Sequence, residues 1–301
     1  MKDLVTPKQV AQAIDVSESS LKRWCDRGLI PTVRTAGGHR RLPVNGVLAF
    51  LRNSGYRLVD PEVLGLPPIP AKSSRAGNLE EEQARLLQAL VNGNEAVCIE
   101  IVINLYLARV PMCRICDQLL ARSFQDIGEL WGCGDVAVYQ ERRSCELCHR
   151  VIHEIRRALP EIPATGPLAI GGTCAGDPYT LASSMAELVL RENNWNATSL
   201  GNMLPFSSLR QALEEVKPKL FWLSVSTISD ANAFVTEFAE LSEAADQHQV
   251  ALVVGGQALT PEIRRQMRYS CFCDTFTHLD SFVKQLADSD PLSPPQPGNE
   301  T

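Results

Sequence analysis

Apolar positions along the chain fall into three successive regimes. From residue 4 to 24 they recur at helical spacing in two short segments, Val10, Ala13 and Ile14 forming one stripe and Leu21 and Trp24 the next. Thr6-Pro7 opens the first segment as N-cap and first helical residue, and Ser17 caps the second after a turn at Asp15-Val16-Ser17. Ile30–Arg34 and Arg40–Pro43 predict two short strands around a Gly37-Gly38 tip, and Asn45–Arg52 a third helix. From Leu79 to Leu159 the period is helical throughout. Gly93, Pro111 and Gly132/Gly134 punctuate it into helices over 79–91, 93–107, 111–131 and 135–159, a four-helix bundle.

From Gly166 the period changes. Apolar runs at 168–171, 197–200, 220–223 and 251–254 alternate with helical segments near 180–193, 207–216, 230–247 and 261–268. That alternation predicts βαβ units and a doubly wound parallel sheet, Rossmann- or flavodoxin-like. The expected fold class is therefore multi-domain α and α/β. A winged helix-turn-helix head occupies 1–56, a proline-rich linker 57–78, the bundle 79–160 and the α/β domain 166–287. A tail over 288–301, with Pro291, Pro294, Pro295 and Pro297, is expected to be disordered.

Charge changes the picture of the head. Residues 1–58 carry ten Lys/Arg against four Asp/Glu, a formal +6, while the remainder carries 19 against 31, a formal −12. A basic head on an acidic body points to an anionic polymer, double-stranded DNA, that meets only the head. The second helix offers Ser19, Ser20, Lys22 and Arg23. The hairpin offers Arg34, Thr35, His39, Arg40 and Arg41, with glycines that let its backbone lie close to phosphate. The hairpin arginines are assigned to the DNA backbone and the second helix to base edges, with Trp24 in the head's core. Leu21-Lys22-Arg23-Trp24, Gly28-Leu29-Ile30-Pro31 and Gly37-Gly38-His39-Arg40-Arg41 together resemble the winged-helix head of the MerR family. A single small head implies a homo-oligomer, dimer or tetramer, on repeated half-sites.

Behind such a head, a bundle followed by a doubly wound sheet resembles the light- and cobalamin-responsive MerR-type repressors, whose body is shared with corrinoid-carrying methyltransferase components. Ile127-Gly128-Glu129-Leu130-Trp131, followed after nine residues by Glu141, resembles the Trp-x9-Glu-His bundle signature. Asp177 follows the first strand, where the cobalamin loop would lie. Ser224-Val225-Ser226 and Gly255-Gly256 match positions that cradle the nucleotide tail. The resemblance thus implies a cobalamin site including Trp131, Glu141, Asp177, Tyr179, Ser224, Ser226, Gly255 and Gly256. Two departures limit it. The loop pattern Asp-x-His-x-x-Gly reads Asp177-Pro178-Tyr179-Thr180-Leu181-Ala182, so a phenol of pKa near 10 replaces the axial histidine. The bundle histidine is Arg142, which has no lone pair for a metal. Histidine ligation of cobalamin is not expected; another cobalamin mode and loss of the cofactor both remain open.

Ten cysteines add a third theme. Cys113/Cys116 and Cys145/Cys148 are two Cys-x-x-Cys pairs separated by 28 residues, each pair on one face if helical. Three readings stand: buried bundle thiols, a four-thiolate zinc or iron–sulfur site, or a redox dithiol. Cys133, Cys174, Cys271 and Cys273 show no ligand pattern, and His149 and His153 read as surface. No apolar run reaches 18 residues and residues 1–20 lack a signal-peptide core, so a cytoplasmic protein without membrane contact is expected. The expected function is a sequence-specific transcriptional regulator, a repressor and not an enzyme, with a degenerate or atypical cobalamin-type sensory and oligomerisation module. A corrinoid-carrier component and an excisionase-like architectural factor are the alternatives.

Overall fold

The computed structural model describes residues 1–68 and 78–288, and the chain divides into two compact units, Met1–Ala164 and Thr165–Thr301. The first begins with β1 (Leu4–Val5), α1 (Pro7–Ala13), α2 (Glu18–Asp26), β2 (Val33–Arg34), β3 (Arg40–Pro43) and α3 (Val44–Ser54). The strands form an antiparallel sheet in the order β1-β3-β2. Strand β1, inside the segment expected to be helical, pairs Val5 with Leu42 and so ties the start of the chain to the hairpin. Thr6 is the N-cap of α1, and Gln9 completes a capping box by accepting the Thr6 N–H through its side-chain oxygen at 2.9 Å. Ser17 caps α2 through Ser20 N–H. Val10, Ala13, Leu21, Trp24, Ile30, Leu42, Val47, Leu48 and Leu51 close the core.

The linker is more ordered than its composition suggests. Pro61–Leu64 is a 3-10 turn, the N–H groups of Val59 and Asp60 both donate to the Ala13 carbonyl, and Leu64 and Leu66 are buried. Residues 57–68 are thus part of the folded unit; residues 69–77 of the linker lie outside the described residues, as does the expected tail beyond Asp288.

The bundle comprises α4 (Leu79–Asn92), α5 (Glu95–Leu107), α6 (Met112–Arg114), α7 (Arg122–Cys133) and α8 (Val138–Ala158). Helices α6 and α7 are joined by a π-helical stretch, Ile115–Ala121, so the helix expected over 111–131 is continuous but widened in its middle. Head and bundle, expected as separate domains, form one unit because α3 packs on both α5 and α8. Arg52 donates to the Tyr106 carbonyl at 2.6 Å with its guanidinium 4.4 Å from the Tyr106 ring centre. Arg109 returns two hydrogen bonds to the carbonyls of Arg52 and Asn53.

The second unit holds β4 (Leu168–Thr173), α9 (Leu181–Glu192), β5 (Asn196–Ser199), α10 (Phe206–Val216), β6 (Leu220–Ser224), α11 (Ala231–His248), β7 (Ala251–Gly255), α12 (Pro261–Arg264), β8 (Cys271–Cys273) and α13 (Phe276–Asp288). Its sheet is parallel, in the order β5-β4-β6-β7-β8, the flavodoxin-like arrangement with its switch point between β4 and β6. Strand β6 is buried at every position, as a central parallel strand covered on both faces must be. Ile170, Phe221, Leu223, Leu252 and Val254 pack on one face with Phe234, Phe238 and Leu241 of α11. On the other, the Trp222 indole lies so close over Gly171 that a Cβ there would come within 2.2 Å of the ring, and its Nε1 donates to Ser183 Oγ at 2.9 Å. Strand β8 and helix α13 extend the sheet beyond the elements expected.

Candidate functional site

The basic head presents two exposed surfaces. On α2, Leu21, Trp24 and Cys25 turn inward while Glu18, Ser19, Lys22, Arg23 and Asp26 face water. Ser20 is half-buried, and both Ser19 and Ser20 hydroxyls bond to Ser17 Oγ, at 2.9 and 3.0 Å, so they are engaged in the cap. On the hairpin, Arg34, Thr35 and His39 are exposed around the tip. The tip is held by Thr35 N–H to the His39 carbonyl, by His39 N–H to Thr35 Oγ1, and by Gly38 at φ +77, a value that favours glycine. Arg34 donates to the Gly38 carbonyl.

Arg40 and Arg41 are half-buried. Arg40 pairs with Asp26 Oδ1 at 2.7 Å, and the hydrogen bond to that carboxylate raises the guanidinium's proton affinity further. It therefore clips the hairpin to the end of the second helix. Sequence reasoning missed Asp26, the partner in that clip, and Arg27, an exposed cation where α2 meets the turn to the hairpin.

In the α/β unit the expected ligand-facing residues gather at the carboxyl edge of the sheet, but they chiefly hold one another. Asp177 is fully buried: Oδ1 accepts Tyr179 N–H at 3.1 Å, Oδ2 accepts Ser226 N–H at 2.6 Å, and its carbonyl accepts from Thr173 Oγ1 at 2.6 Å. Ser224, the last residue of β6, is buried. Gly256, at φ +121, and Gly255 are glycine for backbone reasons: a Cβ would lie 2.1 Å from the Val225 carbonyl oxygen and 2.8 Å from the Cys273 carbonyl oxygen respectively. The Tyr179 side chain is 51% exposed. The residues present do not fit a cobalamin held through a loop imidazole. The loop has no imidazole, each oxygen of its acid already accepts a backbone N–H, and the Gly255-Gly256 pair at the end of β7 is accounted for by the fold.

In the first unit, Trp131 is 53% exposed near the end of α7, with Val138 and Tyr139 also exposed at the start of α8. Glu141 pairs with Arg142 and accepts from the Cys145 thiol. Cys113, Cys116 and Cys148 are buried and Cys145 is half-buried. Burial, then Glu141, pushes the Cys145 thiol up to about 12, and burial raises Cys148 still further. Among the described residues no group of three or more His, Cys, Asp or Glu is placed to hold a metal ion, which corrects the four-thiolate reading of Cys113, Cys116, Cys145 and Cys148. Of the bundle readings, that of buried apolar thiols matches this burial; a reactive dithiol calls for a lowered pKa. No helix among the described residues is long and apolar enough to cross a membrane.

Residues 4–55 match the helix-turn-helix domain family, and residues 82–156, the bundle, match the family described as B12 binding domain. The trimethylamine corrinoid protein of Methanosarcina barkeri is 22% identical over 190 residues, covering 62% of this chain and 87% of that one. Trimethylamine corrinoid protein 1 of Methanosarcina mazei is 21% identical over 212 residues, covering 69% and 97%. The monomethylamine corrinoid protein of M. barkeri matches in structure with a TM-score of 0.58 at 16% identity, over 69% of this chain and all of that one. At that identity the likeness establishes the fold. The chain therefore joins a helix-turn-helix domain to a B12-binding-type bundle and a parallel sheet of the corrinoid-protein fold.

Proposed function

We propose that this protein is a sequence-specific transcriptional regulator with a MerR-type head, a repressor acting from the cytoplasm as a homo-oligomer on repeated half-sites. Its B12-type body serves as sensor and assembly module. One observation carries the reading: the head exposes Lys22, Arg23, Arg34 and His39, while its α3 packs against α5 and α8 of the bundle. A change in the bundle is thereby delivered to the DNA-reading elements through Arg52 and Arg109. A carrier of corrinoid between enzymes has no use for such a head, and an excisionase-like factor none for such a body. The signal, on this reading, is not cobalamin held by a histidine of the chain.

The test is selection of duplexes from a random pool by the full chain, followed by fluorescence anisotropy on the selected sequence at several salt concentrations. A recurrent paired half-site and a preference of at least about a thousandfold over random duplex are expected. Lys22→Ala/Arg23→Ala should flatten that preference, whereas Arg34→Ala should weaken all duplexes alike and reduce the salt slope by about one. Uniform, sequence-blind binding would refute the regulator. In parallel, absorbance after incubation with adenosylcobalamin in darkness should show no spectrum of histidine-ligated cobalt.

A further inference from the structure

One face of α3 lines a groove of about 560 Å3 in the first unit. Asn45, Ala49 and Asn53 recur every four residues and form one row of that face, and Gly46, Phe50 and Ser54 form the next. Leu29, Pro31 and Pro43 line the groove from the head, and Pro160 and Glu161 from the segment that follows α8. Pro31 sits flush on the helix, since a Cβ on Gly46 would collide with its Cγ. An occupant of the groove would therefore touch the head, the helix that head and bundle share, and the end of the bundle at once.

Size and lining suit a small organic molecule. Such sites enclose roughly 300–1,000 Å3 and are chiefly apolar, with a few polar groups that orient the ligand. Here the apolar surface comes from Phe50, Ala49, Leu29 and the three prolines, and Asn45, Asn53 and Ser54 are neutral hydrogen-bonding groups. Charge narrows the class. No Lys or Arg lines the groove, and Glu161 is exposed, with no hydrogen bond or ion pair among the described residues. An anion would meet a carboxylate and no compensating cation; a cation would meet Glu161.

Phe50 also links the groove to the DNA-reading helix. Its ring centre lies 5.0 Å from that of Trp24, the buried aromatic residue of α2, and 5.9 Å from that of Tyr56. The Asn53 carbonyl, one turn further along α3, accepts from Arg109 of the bundle.

We infer that this groove is a binding site for a small aromatic cation, its apolar body against Phe50, Ala49 and the prolines and its charge beside Glu161. Its occupant acts on α2 through Phe50 and Trp24. That role as the signal rests on the regulator proposed above, whereas the site itself does not.

Calorimetry of the full chain tests the site, with naphthylmethyl-trimethylammonium as the probe and naphthalenesulfonate as an anion of similar apolar size. One cation per chain is expected, bound at least about tenfold more tightly than the anion. Ala49→Phe, which fills the groove, should abolish binding, and Glu161→Lys should weaken it by about tenfold. Cys133→Ser, at an exposed cysteine of the bundle, should change neither. Equal affinity for the two ions, or binding undiminished by the groove variants, overturns the site. Should Ala49→Phe fail to fold by circular dichroism, Glu161→Lys, at an exposed residue, decides alone. Anisotropy on the selected duplex with and without saturating cation then tests the coupling. A change of at least about fivefold in duplex affinity is expected, absent in Glu161→Lys, and no change overturns the action on α2. Sequence-blind duplex binding beside saturable cation binding would strike the regulator and uphold the site.

Discussion

Asp177→Asn separates a structural acid from a ligand-facing one. The carboxylate is fully buried and accepts two backbone N–H groups, Tyr179 at 3.1 Å and Ser226 at 2.6 Å. The Ser226 bond fastens the loop after β4 to the loop after β6, at the switch point of the sheet, while the Tyr179 bond shapes the first loop itself. Asparagine preserves shape but replaces one acceptor oxygen with an NH2 that faces an N–H donor. A hydrogen bond to a charged group contributes about 1.5–3 kcal/mol, and a buried N–H left unpaired costs about 1–3 kcal/mol. The combined loss is about 3 kcal/mol, a fall of roughly 10 °C in melting temperature for a unit of this size. Trp195 and Trp222 are buried in the same unit, so their near-ultraviolet circular dichroism reports its unfolding in urea. A loss below about 0.5 kcal/mol would refute the anchoring role and return Asp177 to the cleft as a residue awaiting a partner.

Three further outcomes follow from the same geometry. Asp26→Ala should free Arg40 for phosphate, tightening duplex binding and steepening its salt slope by about one in anisotropy titrations; an unchanged slope would mean that Arg40 already reaches the DNA. Trp222→Ala, which empties the space above Gly171 and leaves Ser183 without its indole donor, should cost about 3–5 kcal/mol in urea unfolding. Cys98 and Cys145 are both pushed up to about 12, principally by burial, from an ordinary thiol value near 8.5. The folded state then holds protons that the unfolded chain has released. Their contribution is intact below about pH 8.5 and is lost as pH rises toward 12. Cys98→Ala should remove close to one proton's worth of that slope, about 1.4 kcal/mol per pH unit between pH 10 and 11, measured against the unaltered chain.

What the sequence disclosed and what it withheld divide along physical lines. Caps were legible because one side chain serves one local N–H: Thr6 and Ser17 could be placed from their neighbours alone. Strand β6 was legible because complete burial leaves a continuous apolar run. Helix α13 carries Phe276, Leu279 and Val283 at helical spacing, a signal that was present and unused. Strand β8 was not legible, since three residues are too few to show a period. The π-helical stretch was not legible either, because its residues are those of an ordinary helix.

The glycine pair and the cysteines show where pattern reading stops. Gly255-Gly256 has the same composition whether the backbone must admit a ligand or must admit Val225 and Cys273, and only coordinates separate the two. For the cysteines, a spacing becomes a distance only once the element is known. Cys-x-x-Cys in a helix shares a face, and that favoured the bundle pairs, yet three of the four thiols are buried and no metal-sized group assembles among the described residues. Cys-x-Cys carries no such meaning until the segment is seen to be a strand, where alternate residues stand side by side. The thiols with the weaker sequence signal are therefore the ones set 3.8 Å apart, a neighbourhood that only the element they sit on reveals.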